Sequence, residues 1–219
     1  MRVGLFGGAF NPIHRCHLVV AESARERLGL DSVLFIPTGD PPHKPSTEFI
    51  ASVHRWEMLK LAIAPYAYFQ ASDIEIRRPN KSYSIDTLRE LRRHYPLDTE
   101  LVFIIGLDAF HELPSWKEPD ALLSSCDFAV VARAGMKFES LNELAILQGD
   151  NITELKRIDA AEVDSVRLPL KSGRTVWAIR IPLCNVSAKD VRNRLRHGQD
   201  LENALPPSVE AYFRRIAIS

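Results

Sequence analysis

The chain has 219 residues, 46% of them apolar, with Lys+Arg and Asp+Glu each at 28 and a formal net charge of zero. That composition suits one sizeable α/β core and excludes a disordered chain, and the balanced charge removes any global attraction to nucleic acid or an anionic membrane. No apolar run approaches bilayer length, the chain enters structure with no signal-peptide pattern, and three scattered cysteines (Cys16, Cys126, Cys184) suit a reducing compartment rather than a disulfide framework, so a cytoplasmic protein is expected.

The first 18 residues, MRVGLFGGAFNPIHRCHL, are the most informative. A short apolar strand (Val3, Leu5, Phe6) runs into Gly7-Gly8, where the missing Cβ atoms let backbone amides approach a bulky anion. Pro12 stops the strand, and a helix predicted from about Ile13 to Leu28 offers its unpaired N–H groups and positive dipole end. His14 and His17, three apart, share one face of that helix. Together these parts describe a phosphate cradle with its own imidazoles. Cys16 beside the histidines does not make a metal site, because adjacent helical positions diverge and no second ligand pair follows.

Gly29 should end this helix, and Ser32 to Pro37 reads as a buried parallel strand, completing a βαβ unit. The proline-rich stretch from Thr38 to Phe49 leaves the carboxyl end of that strand, where doubly wound sheets place ligands. Its His43 and Lys44 are candidate ligands for an acidic substrate. A helix over Ala51 to Ala64 should bury Val53, Trp56, Leu59 and Ile63, and Phe69 to Ile76 should form a strand. Ser82 or Ser84 can cap a helix that buries Ile85, Leu88 and Leu91.

Glu100 to Gly106 is the clearest central strand, and Asp108 just past it is placed to bind ribose hydroxyls. Phe128 to Ala132 is the next strand, with Arg133 at its end suited to phosphate. A helix is expected over Phe138 to Leu147, an irregular surface stretch with short strands over Asn151 to Arg174, and a strand over Thr175 to Leu183. Ser187 then caps a helix with Asp190 at its third position, and Ser208 to Ile216 forms a last short helix.

GGAFNPIHRCH resembles the signature of the nucleotidyltransferase superfamily, usually written GG-x-F-[DN]-P-x-H-x-G-H, with Cys16 at the place of its last glycine. NVSAKDVRNRL is similar to its second signature, I-S-S-T-x-[IV]-R, retaining Ser187 and Arg192 while Ala188 removes a hydroxyl and Lys189 adds a charge. P-P-H-K, S-Y-S-I-D-T-L and L-P-S-W further resemble bacterial nicotinate-nucleotide adenylyltransferases.

The resemblance spans about the whole chain. It implies a single nucleotidyltransferase domain over residues 1–219, with the C-terminal helical part from about 185 packed on it. The implied fold is a doubly wound, mostly parallel α/β sheet, Rossmann-like. The implied reaction joins ATP and nicotinate mononucleotide to give deamido-NAD and pyrophosphate in NAD biosynthesis. His14 and His17 would be catalytic. Gly7, Gly8, Phe10, Asn11, Gly106, Asp108, Arg133, Ser187, Lys189 and Arg192 would bind ATP. His43, Lys44, the amides of Tyr83, Ser84 and Ile85, and the ring of Trp116 would bind the acceptor, the indole contributing on the order of 1 kcal/mol by stacking. Arg55 stands at a motif arginine, although a surface ion pair would equally explain it. Magnesium would accompany ATP with few or no protein ligands. Adenylyl transfer to nicotinamide mononucleotide or phosphopantetheine, or a non-catalytic nucleotide-binding regulator, are the alternatives. Self-association stays open. Because the motif reserves glycine for position 16, Cys16→Gly is expected to leave activity equal or higher.

Overall fold

The computed structural model describes residues 1–40, 49–201 and 203–217. In chain order it has β1 (Arg2–Gly8), α1 (Arg15–Leu28), β2 (Ser32–Pro37), α2 (Ser52–Ile63), β3 (Phe69–Ala71), α3 (Ser84–Arg92), β4 (Glu100–Gly106) and α4 (Leu107–Glu112). It continues with α5 (Pro119–Ser125), β5 (Asp127–Val131), α6 (Ile152–Asp159), β6 (Ser165–Pro169), β7 (Thr175–Ile179), α7 (Ala188–Arg196) and α8 (Pro207–Ala217).

The strands form one sheet in the order β3-β2-β1-β4-β5-β7-β6. Every neighbouring pair is parallel except β6 with β7. Strand alternation sends side chains to two faces. Val3, Leu5, Phe103 and Ile105 join α3, α4, α5 and α6 on one face, through residues such as Leu88, Phe110, Leu122 and Ile158. Phe6, Phe35, Val102 and Ile104 join α1, α2, α7 and α8 on the other, through Leu18, Leu59, Val191 and Phe213. Both faces are covered, which is why β1, β2 and β4 read as unbroken apolar runs.

The chain builds outward from β1 through β2 to β3, then returns to β4 on β1's other side and builds outward again. β1 and β4 therefore flank the topological switch point, and a crevice opens beyond their carboxyl ends. Gly7-Gly8 and Gly106-Leu107-Asp108 are delivered to this crevice by register, Phe6 lying beside Ile104.

Several expectations need correction. The buried side of α2 is Arg55, Met58, Leu59, Ala62 and Ile63, whereas Val53 is 58% exposed and Trp56 only partly buried. The helix is rotated because the Arg55 guanidinium has inward partners that its charge conceals in a periodicity count. β3 stops at Ala71, where the chain turns to bury Ile74 and Glu75. The expected helix at Phe138 is a 3₁₀ segment, Phe138–Glu143, whose first amides are taken by the Asp159 carboxylate at 2.8 and 2.9 Å. Residues 151–174 are more regular than expected, holding α6 and β6. Neither Ser82 nor Ser84 caps α3, since its N-cap is Tyr83 and no side chain bonds there. Ser187 does cap α7, its Oγ accepting the Asp190 amide at 3.1 Å.

Candidate active site

A cleft of about 1550 Å³ lies at the switch point. One wall is the cradle after β1. Phe10 adopts φ 42°, in the left-handed region, and is 1% exposed. A conformation of this kind costs on the order of 1–3 kcal/mol and persists where its surroundings enforce it. Here the enforcement is aromatic, since the Phe10 ring sits 5.5 Å from Phe6, 5.7 Å from Phe35 and 5.0 Å from His17, edge-on to the last.

The helix begins at Arg15, so His14 is its N-cap rather than its first turn. The two imidazoles still meet, stacked with centroids 3.7 Å apart. The His14 amide donates to His17 Nδ1 at 3.2 Å, and the His17 amide donates to the His14 carbonyl at 2.9 Å. Accepting at Nδ1 leaves the His17 proton on Nε2. Burial, then the nearby Arg133, pushes the His14 pKa down to about 4. Burial, then His14 and Arg133, holds His17 well below its ordinary value. Both rings are therefore neutral at neutral pH, and the buried His14 Nδ1 has no hydrogen-bond partner among the described residues.

Other cradle groups hold the walls together. The Asn11 side chain accepts the Ile50 amide at 2.8 Å, and Arg192 from α7 donates to the Asn11 carbonyl at 2.6 Å. Arg55, 2% exposed, is no surface ion pair: its guanidinium donates to the carbonyls of Ile50, Ala9 and Thr38 at 3.0, 2.8 and 2.7 Å. Asp108 and Arg133 face each other at 3.6 Å across the ends of β4 and β5, both solvent-accessible.

Gly7, Gly8, Gly106, Ser187 and Lys189 also line the cleft, so all the expected ATP-side residues are brought together. On the opposite side Tyr83, Ser84 and Trp116 line it, while the Ile85 side chain is 1% exposed and turned into the core. His43 and Lys44 lie outside the described residues. Among the described residues no group of three or more His, Cys, Asp or Glu is gathered as metal ligands.

Residues 5–194 match the cytidylyltransferase-like family model. A probable nicotinate-nucleotide adenylyltransferase of Geotalea daltonii is 41% identical over 98% of this chain and 96% of its own. A second, from Pelobacter propionicus, is 42% identical with the same coverage. This chain belongs to the nicotinate-nucleotide adenylyltransferase family. The nicotinic acid mononucleotide adenylyltransferase of Plasmodium falciparum, solved in complex with NaAD, shares the fold, with a TM-score of 0.72 at 16% identity over 99% of this chain and 96% of that one.

Against this family background, the cysteines overturn one expectation. Cys16 and Cys184 form a disulfide across 168 residues of sequence, with Cα atoms 5.5 Å apart. Cys126 is the free one, buried, its thiol pushed up to about 12 chiefly by burial. Wide spacing counted against pairing, but the sheet brings the start of α1 beside the segment after β7.

Three further features of this adenylyltransferase chain are not legible in its sequence. Glu75, 8% exposed, accepts from Thr87 Oγ1 at 2.8 Å, and burial raises its pKa. It sits against Gly39, where an added Cβ would come 2.1 Å from the Glu75 carbonyl oxygen. The Ser82 amide donates to the Asp40 carbonyl at 2.9 Å, so the turn before α3 is tied to the chain after β2. Lys117 lies 4.8 Å over the Tyr83 ring and pairs with Asp86 at 2.9 Å. Glu75 falls in a stretch that reads as strand, and only the closeness of Gly39 in space marks it.

Proposed function

We propose that this chain transfers AMP from ATP to nicotinate mononucleotide, releasing pyrophosphate and giving deamido-NAD in NAD biosynthesis. The observation that carries this reading is the pair of neutral, stacked imidazoles, His14 buried and His17 partly so, over a glycine cradle at the switch point. The acceptor's 5′-phosphate oxygen bonds to the α-phosphorus in line as the bond to the β-phosphate oxygen breaks. No covalent enzyme intermediate is needed, so catalysis is positioning and charge stabilisation.

A neutral imidazole with its proton on Nε2 suits this task. His17 donates that proton in a hydrogen bond to the α-phosphate as negative charge grows there, while its Nδ1 is held by the His14 amide. His14 and Arg192, which line the same part of the cleft, hold the departing pyrophosphate. Gly7, Gly8, Phe10 and Asn11 shape the cradle, Gly106 and Asp108 take the ribose, and Arg133, Ser187 and Lys189 complete the phosphate side. Tyr83, Ser84 and Ile85 offer backbone amides to the nicotinate carboxylate, with Trp116 against its ring and His43 and Lys44 as further ligands for the acceptor. Magnesium would accompany ATP and offset phosphate charge; among the described residues no group of carboxylates, imidazoles and thiolates is gathered to cage it, so the chain would supply few or no ligands.

The test is pyrophosphate release with ATP and each of nicotinate mononucleotide, nicotinamide mononucleotide and phosphopantetheine. The expected result is turnover fastest with the nicotinate acceptor. Turnover with none of the three despite ATP binding would replace this reading with a nucleotide-binding regulator. His17→Ala should lower kcat by about 10²–10³ with little change in ATP affinity, as removal of one preorganised donor does, and unchanged turnover would remove His17 from the mechanism.

A further inference from the structure

We infer that the Cys16–Cys184 bridge is a reducible positioning element for ATP: closed, it holds the segment after β7 in its nucleotide-binding place, and opening it weakens ATP specifically. The argument begins with the segment. Residues 180–187 link β7 to α7 without regular structure and line the ATP side of the cleft. Its ends are anchored, by the Arg180 amide to the Asp164 carbonyl at 2.9 Å and by the Ser187 carbonyl to the Val191 amide at 3.0 Å. Between them residues 182–185 make no backbone hydrogen bond among the described residues. Ile181 and Val186 pack on the core beside the cradle, and among the described residues the remaining ties of the middle to it are the bridge itself and the Val186 amide donating to Cys16 Sγ at 3.4 Å.

The bridge does not block the site. With it closed the cleft measures about 1550 Å³, larger than the ~300–1,000 Å³ of ordinary ligand sites. Closure therefore preorganises rather than occludes, and a binding segment already in place spares ligand binding the ordering cost. It also explains how a cysteine is accommodated where the motif keeps glycine: its sulfur is bonded to Cys184 in the neighbouring segment after β7.

The bond is placed to be opened by a dithiol. Cys184 is partly exposed and Cys16 is 8% exposed, so Cys184 is the more open of the two to a reductant thiolate. Attack there forms a mixed disulfide and expels Cys16 as thiolate. Cys16 is the second residue of α1, where helix-end amides and the Val186 N–H favour that anion. The reductant's second thiol then releases Cys184. The protein gains two electrons and two protons, and the dithiol leaves as its own disulfide.

The inference rests on the proposed function only for its kinetic arm. ATP dissociation constants are measured by calorimetry on the full chain, once oxidised with glutathione disulfide and once reduced with dithiothreitol, with thiols counted in denaturant. One thiol per chain is expected oxidised and three reduced. The Kd and KM for ATP should rise about tenfold on reduction, the scale of re-ordering a short segment with fixed ends. KM for the acceptor and kcat should change less than about twofold. The Cys16→Ser/Cys184→Ser double variant should match the reduced protein and ignore dithiothreitol. Three thiols after oxidation, equal ATP affinity in both states, or equal losses for ATP and acceptor would each overturn it. Should turnover fail with every acceptor, the ATP Kd and the thiol count still decide the matter. On this reading Cys16→Gly weakens ATP binding, opposite to the sequence expectation.

Discussion

Replacing Arg55 by leucine is the most severe single test of how the cleft is held. Its guanidinium joins three separate stretches: Ala9 in the cradle, Thr38 after β2, and Ile50 before α2. Hydrogen bonds from a charged donor contribute about 1.5–3 kcal/mol each, so three of them outweigh the cost of burying the ion only because all are made together. Leucine would recover part of the apolar packing but leave three carbonyls without this partner. A buried acceptor left unsatisfied costs about 1–3 kcal/mol, so the three carbonyls together lose about 3–5 kcal/mol once water reaches the more open of them. In a chain of this length that corresponds to roughly 10 °C in Tm. Arg55→Lys keeps the charge but not the fork, and should lose about half as much. Urea denaturation followed by circular dichroism gives the stability difference, and kcat/KM for each substrate shows whether the cradle has moved. A loss below about 1 kcal/mol for leucine, or lysine matching the wild type, would refute the claim that the three-carbonyl clamp supports the site.

Two other outcomes follow from the same geometry. His14 is neutral when folded because its pKa is pushed down to about 4, while an unfolded histidine titrates at its model value of 6.5. The unfolded state therefore binds more protons between these values. The stability this provides is complete above the unfolded pKa and is lost as pH falls, by about 1.4 kcal/mol per unit and about 3 kcal/mol in all. Denaturation at pH 7, 6 and 5 should show this slope on top of the one of the same sign that His17, also held below its ordinary value, supplies, and His14→Asn should lower the slope to the His17 part; a slope unaltered by the substitution counts against a neutral buried His14. Gly39→Ala would drive a Cβ into the Glu75 carbonyl, costing about 1–3 kcal/mol as overpacking does and raising the acceptor KM more than that of ATP. Wild-type stability in that variant would show that the turn yields easily.

β1, β2 and β4 were legible because strands covered on both faces are apolar throughout, and the first helix because Gly29 closes it in the left-handed conformation, φ 60°. The cradle and the Ser187 cap were legible for a similar reason: their parts are adjacent in sequence, so spacing alone reports geometry. The buried face of α2 was not, since a charged Arg55 counts as surface in any periodicity and only its three carbonyl acceptors bring it inside. Glu75 was hidden likewise, its partners Thr87 and Gly39 standing on other elements. The amino-acid sequence by itself thus determined the strand-turn-helix cradle, the histidine pair and the family. Tertiary structure alone decided that Cys16 meets Cys184 and that both imidazoles sit neutral and stacked. Those properties depend on distances between segments far apart in the chain and on exclusion of water, and neither quantity is written in local sequence.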